Sequence, residues 1–149
     1  MRAVVQRIRD CSVRVGERQT GRIDSGVLVY LGVGRSDTER DARFLCDKVL
    51  NLRIFPDEAG KMNLSVRDIG GGVMVVSQFT LFGDAREGRR PSYTEAADPE
   101  RARTLYEKAL QFFLQSGVPV AHGEFQALME VSYTNMGPVT ILLDSEKRF

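Results

Sequence analysis

A triglycine, Gly70-Gly71-Gly72, runs straight into Val73-Met74-Val75-Val76-Ser77-Gln78-Phe79-Thr80-Leu81, and this junction limits the fold more than any other stretch. Glycine brings no side chain to a core and adopts dihedrals closed to other residues, so three in a row read as a turn. The apolar run behind them is short, β-branched and bounded by turn residues, the pattern of a strand buried on both faces. It closes on Ser77, Gln78 and Thr80, three neutral hydrogen-bonding side chains within four positions. Two readings are open there: side chains that cap neighbouring backbone groups, or side chains held out for a ligand.

The flanking sequence supplies the cover such a strand needs. Met1–Ile8, Cys11–Val15, Gln19–Asp24 and Gly26–Val33 each carry a strand pattern. Four strands in 33 residues, joined by turns this short, predict antiparallel hairpins. Ser36 with Glu39 predicts a capping box for a first helix whose core stripe is Ala42, Leu45, Val49 and Leu52. Cys46 lies beside that stripe and reads as a packing residue. Pro56 to Gly60 predict a turn, Met62–Leu64 a brief strand, and Ser65–Asp68 a helical turn. Asp98 as cap and Pro99 at the first position start a second helix. Its stripe is Ala102, Leu105, Tyr106, Ala109, Leu110 and Phe113, and Gly117 ends it. Strand patterns return at Val118–Ala121, Leu128–Thr134 and Val139–Leu143. The expectation is one α+β domain over residues 1–149, with mostly antiparallel sheets curled into a small barrel and two main helices packed on one side.

Composition narrows the function. At 149 residues the chain buries a real core, and 42% hydrophobic with 28% charged residues is ordinary for a soluble globular protein. A net charge of +1 argues against coating long nucleic acid but leaves room for gripping one RNA end. Cys11 and Cys46 are the only cysteines, and the start of the chain lacks a signal-peptide pattern, so two free thiols in a cytoplasmic setting are expected. No apolar run approaches the roughly 20 residues a bilayer crossing needs.

Two further stretches invite chemistry. Gly83–Tyr93 has no apolar periodicity and reads as a long surface loop. Arg86, Arg89 and Arg90 sit there among glycines, either as a solvated charged face or as guanidinium groups within reach of phosphate. Asn135-Met136-Gly137-Pro138-Val139-Thr140 holds a Gly-Pro pair, either a plain hairpin turn or a rigid edge that presents two carbonyl oxygens in a fixed direction. Familiar catalytic sets are missing. His122 is the single histidine, so a zinc site built on several imidazoles is excluded. No Gly-x-Ser-x-Gly elbow, Walker loop or dinucleotide fingerprint is present. A hydrolase of this composition works without an ordinary triad.

Taken together, Ser77-Gln78-Phe79-Thr80-Leu81 and Asn135-Met136-Gly137-Pro138-Val139-Thr140 match the SQFTL and NxGPVT motifs of the D-aminoacyl-tRNA deacylase family. The likeness extends to Met1–Arg7, to Gly88-Arg89-Arg90-Pro91-Ser92 and to Gly123-Glu124-Phe125-Gln126-Ala127. Gln126 departs from it, since many members carry a small residue there. The resemblance implies a cytoplasmic homodimer that hydrolyses the ester joining a D-amino acid to tRNA, and that also releases mischarged glycine, with no metal or organic cofactor. It further implies a cis Gly-Pro bond in a turn that crosses into the partner's pocket. Gly137 and Pro138 of one subunit would then face Ser77, Gln78, Phe79 and Thr80 of the other.

The chemistry the resemblance implies is consistent with these residue types. Fixed carbonyl oxygens accept hydrogen bonds from an α-ammonium group, and an L side chain would then point into the turn while a D side chain points out. A preference of about a thousandfold needs only about 4 kcal/mol. Amides and hydroxyls at the strand end would donate to the oxyanion, each typically worth about 2.7–4 kcal/mol. Thr80 as a nucleophile has no sequence neighbour to take its proton, so attack by a water assisted by the RNA 2′-hydroxyl is the preferred route. Phe125 and Met129 would pack on the terminal adenine (with core packing an alternative for Met129), and the three loop arginines would approach acceptor-stem phosphates. Two rivals remain: a non-catalytic module holding an RNA end or a D-amino acid, and a structural dimer in which both motifs only knit an interface.

Overall fold

The computed structural model describes residues 1–149. Its strands are β1 (Arg2–Val15), β2 (Arg18–Gly32), β3 (Phe55–Pro56), β4 (Met62–Leu64), β5 (Gly72–Ser77), β6 (Val120–His122) and β7 (Glu130–Asp144). Two helices, α1 (Glu39–Asn51) and α2 (Pro99–Gln115), and a 3-10 turn over Phe79–Phe82 complete it. The α+β expectation holds, with one sheet in the order β6-β5-β2-β1-β7 beside the small β3-β4 pair.

Three expectations change. The sheet is mixed: β1 runs antiparallel to β2 and β7, but β5 runs parallel to β2, and β6 parallel to β5. The physical reason is the crossover, because the path through α1 returns the chain to the end of the sheet where β2 began, and α2 does the same between β5 and β6. Nor is the sheet closed into a barrel. It ends in two edges, and β6 offers only three residues as a ladder against the fifteen of β7. Finally, the first four predicted strands are two long ones. Pairing continues through Ile8↔Gly26 and Arg9↔Ser25, and Asp10, at φ +52°, bends β1 without ending it.

Period-two alternation divides the core as β5 predicts. Val73 and Val75 face Val27, Val29, Ala3 and Val5, together with Leu45 and Val49 of α1 and Tyr106, Ala109 and Phe113 of α2. Met74 and Val76 face the other way, onto Leu28, Ile8, Cys11, Val13 and Ile23, where Met129, Val131 and Tyr133 give partial cover. The turn into β5 depends on a close approach. A Cβ on Gly26, whose φ is +145°, would lie 1.9 Å from the Gly72 carbonyl oxygen.

Helix α2 starts as predicted, with Asp98 accepting from the Arg101 backbone N–H at 3.0 Å and Pro99 following. Helix α1 starts two residues later than Ser36 predicts. Thr38 is the cap, and the Asp41 carboxylate accepts from its backbone N–H (2.9 Å) and its hydroxyl (2.7 Å). Ser36 instead donates to Glu146, and Asp37 is buried beneath the Met1 ammonium, so both are used before the helix begins. The helical turn expected at Ser65–Asp68 forms as a single turn with no helix after it: Ile69 N–H bonds Ser65 O at 3.3 Å, and the Asp68 carboxylate accepts from Ser65. Both cysteines are free and buried. Burial pushes the Cys11 thiol up to about 11 and the Cys46 thiol to about 12, so both stay protonated and inert at neutral pH, as packing residues do.

Candidate active site

Strand β5 delivers its polar end to the surface and stops at Ser77. The Gln78 N–H still bonds to Leu31 O at 2.9 Å, after which the chain tightens into the 3-10 turn. Thr80 and Leu81 therefore leave the strand that the apolar run predicts. The reason is local: Leu81 N bonds back to Gln78 O and Gly83 N to Thr80 O, which pulls the chain off the ladder. As the first residues of that turn, Phe79 and Thr80 have backbone N–H groups with no carbonyl behind them to bond. The Gln78 amide donates to the Thr80 hydroxyl.

Beside this turn lies a mostly apolar cleft of about 520 Å³. Ser77, Gln78 and Phe79 line it together with Phe125, Gln126 and Met129 and with Ala102 and Tyr106 of α2. The Phe125 ring sits 5.6 Å from the Tyr106 ring, which anchors it from within. Thr80 is exposed at the margin of the cleft rather than in its lining. Phe125 and Met129 are thus brought to Ser77–Phe79, and each also packs partly against a core cluster.

The Gly137-Pro138 pair lies elsewhere in the chain. It is no hairpin turn, because β7 is one strand from Glu130 to Asp144. Gln6 pairs with Thr140 but Ile8 with Asn135, so on β7 four residues oppose Arg7 alone and bulge out as a lobe. Met136, Gly137 and Pro138 are all exposed on it, and the Gly137-Pro138 bond is cis. Arg7 aligns with Val27 and then Val73, four residues from Ser77 and three strands across from the lobe. Sheet spacings put the lobe roughly 20 Å from its own Ser77. Within one chain the two motifs do not meet.

The loop arginines divide. The Asp84 and Ser92 backbones pinch the loop with two bonds of 2.8 Å. Arg86 closes on Asp84 at 2.9 and 2.5 Å, and these bonds hold the Asp84 carboxyl down at about 2. Its charge is thereby matched inside the loop. Arg89 and Arg90 are exposed and form no ion pair. His122 is exposed, with Nδ1 2.7 Å from Gly123 O, and does not line the cleft. No group of three or more His, Cys, Asp or Glu stands ready to hold a metal ion.

A sequence model of the D-Tyr-tRNA(Tyr) deacylase family matches residues 4–144. The chain belongs to this family. Members similar over the full length of both chains include the D-aminoacyl-tRNA deacylases of Syntrophobacter fumaroxidans, at 60% identity, and of Thermotoga petrophila, at 56%. A solved structure called c-Myc DNA Unwinding Element Binding Protein superposes with a TM-score of 0.91 at 39% identity, over 97% of this chain and 98% of that one. A probable eukaryotic D-amino acid tRNA deacylase shares the fold alone, with a TM-score of 0.82 at 16% identity over 95% and 97% of the two chains.

In this deacylase-family chain the motifs are held by residues that sequence reasoning passed over. Arg2 donates to Leu81 O at 2.9 Å and lies over the Phe82 ring at 4.5 Å, which ties the 3-10 turn to β1. Arg7 donates to Met136 O at 3.0 Å and to Ile54 O at 2.7 Å, which ties the lobe to the body. Both arginines lie in the opening segment Met1–Arg7, but only the fold shows what they reach. Gln126 takes a left-handed φ of +64° and accepts from Arg103 at 3.3 Å. Arg103 in turn covers the Phe125 ring at 4.9 Å. The Gln126 side chain thus adds a tether on the cleft wall.

Proposed function

We propose that the chain hydrolyses the ester between a D-amino acid, or glycine, and the terminal adenosine of tRNA, in the cytoplasm and as a homodimer. What carries this is the meeting of an adenosine-sized apolar cleft with two unbonded backbone N–H groups, those of Phe79 and Thr80, at its mouth. The adenine packs against Phe125 and Met129, which sets the ester carbonyl beside those donors. A water attacks that carbonyl, held by the 2′-hydroxyl of the same ribose, and negative charge collects on the oxygen facing Phe79 N and Thr80 N. Collapse breaks the bond to the ribose 3′-oxygen, which leaves as a hydroxyl on the proton the water gives up through the neighbouring 2′-hydroxyl, and the free amino acid departs as its carboxylate. Ser77 and Gln78 fix the wall, and Arg89 and Arg90, more than the paired Arg86, reach for backbone phosphate.

Chirality is read by the Gly137-Pro138 lobe of a second copy. A lobe some 20 Å from its own cleft, exposed on a sheet edge, is useless to that cleft and available to another. Its carbonyl oxygens take the α-ammonium, and the backbone behind them leaves no room for an L side chain. Glycine passes because it has nothing to exclude.

Thr80 acts through its backbone. Its hydroxyl faces the Gln78 amide, and a neutral amide in either orientation accepts no proton. Thr80→Ala is therefore expected to keep kcat within about tenfold of the parent, because one side-chain hydrogen bond is what it loses. A trapped acyl-enzyme in the parent together with a dead variant would make Thr80 the nucleophile instead. The direct test is incubation with matched D- and L-tyrosyl-tRNA, with and without chelator. Fast release of D-tyrosine alone, indifferent to chelator, is the expected result, whereas tight binding without release would leave a non-catalytic RNA-end module.

A further inference from the structure

Phe79 has a second side. Beyond it lies another concavity, of about 510 Å³, bounded by Arg35, Tyr93, Thr94, Ala96 and Asp98 and sharing Phe79 and Ala97 with the main cleft. One ring thus forms the partition between two adjoining spaces. The Phe79 and Tyr93 rings meet edge to face, with centroids 5.1 Å apart at 68°. They remain 59% and 39% exposed, and neither belongs to a core cluster. A paired aromatic surface left open to water at the lip of a site marks a contact that the lone chain does not make.

The charge around it is mixed, and its cations are left free: the carboxylates of Glu95 and Asp98 lie nearby, and neither is paired with an arginine. Arg35 is exposed and makes no ion pair, as do Arg89 and Arg90 of the loop that carries Tyr93. Asp98 in the groove wall accepts from the Arg101 backbone N–H at the start of α2 and keeps its negative charge, which leaves the Arg35 end of the groove as the place for an anion. Flat apolar rings beside unpaired guanidinium groups suit a single-stranded nucleotide, whose base stacks and whose phosphate takes the charge. An apolar protein segment would leave the arginines idle.

We propose that this groove holds the nucleotide preceding the terminal adenosine, with its base on the Phe79–Tyr93 pair and its phosphate at Arg35. The assignment rests on the function proposed above, since it is adenosine in the main cleft that brings the preceding nucleotide over Phe79. Stacking accepts any base, so the groove adds affinity for a single-stranded end without adding sequence preference.

The test compares D-tyrosyl-tRNA with 3′-O-(D-tyrosyl)adenosine, which ends before the groove. Tyr93→Ala should raise KM for the tRNA about tenfold, a typical loss for one stacked base, with kcat held and the adenosine ester turned over as before. Tyr93→Phe should restore the parent KM. Arg35→Ala should lower the slope of log KM against log salt for the tRNA by about 0.7, the share of one phosphate on a single strand. Equal losses on both substrates, or no loss on the tRNA, would overturn the groove while the hydrolase stands. A parent protein inactive on both substrates would overturn the hydrolase reading, and the groove with it.

Discussion

Gly137→Ala should cut the ratio of D- to L-tyrosyl-tRNA hydrolysis by about tenfold or more, which corresponds to a loss of only about 1.4 kcal/mol in chiral rejection. Two features of the lobe make so small a change effective. Gly137 sits at φ +120°, where an L side chain is strained in any surroundings. The added methyl would also lie 2.8 Å from Arg7 Nη2 and 2.9 Å from Val139 Cγ2. Arg7 cannot give way freely, because its other nitrogens bond Met136 O and Ile54 O and so fasten the lobe to the body. The backbone must shift instead, and with it the carbonyl oxygens to which the proposed filter assigns the ammonium. Initial rates on the two substrates, taken with the melting temperature of the variant, separate loss of the filter from loss of the fold. A variant that folds and discriminates as well as its parent would remove the lobe from the mechanism.

Gly26→Ala is the substitution expected to cost the fold most. The new Cβ would fall 1.9 Å from Gly72 O and 2.7 Å from Gly72 N, and both are backbone atoms of the neighbouring strand with no rotamer to escape into. Relief requires β2 and β5 to part at the point where their parallel pairing starts. Strain at φ +145° adds to the clash. Together these should cost about 3 kcal/mol or more, which for a chain of this size lowers the melting temperature by about 10 °C. Urea titration gives the stability directly, and a midpoint equal to the parent's would show that the Gly26–Gly72 approach is not needed. Because Ser77 hangs from the other end of β5, activity should fall with stability rather than independently of it.

Local rules were enough for the features that depend on neighbours in sequence. Asp98-Pro99 starts a helix because a side-chain acceptor and a fixed φ act within one turn, and β5 is buried on both faces because its residues offer nothing polar to either. The two motifs were legible by resemblance to the family, since their residues alone still left a capped strand end and a plain hairpin turn open. The competition at the start of α1 was not legible. Ser36 is a good cap in isolation, but Glu146 takes its hydroxyl from 110 residues away.

What only the tertiary structure decided follows from contacts that no periodicity encodes. Direction of pairing is one, since an apolar strand reads the same whether its neighbour runs parallel or antiparallel, and the helical crossovers settle it. The Gly-Pro stretch is another: the sequence supplies a stiff bend, but whether it closes a hairpin or bulges from one long strand depends on the register Gln6↔Thr140 and Ile8↔Asn135. The reach of Arg2 and Arg7 belongs here too, because a long side chain names its own chemistry and only the fold names its partner. Residue types determined which groups could act on an ester, and packing determined which of them stand together.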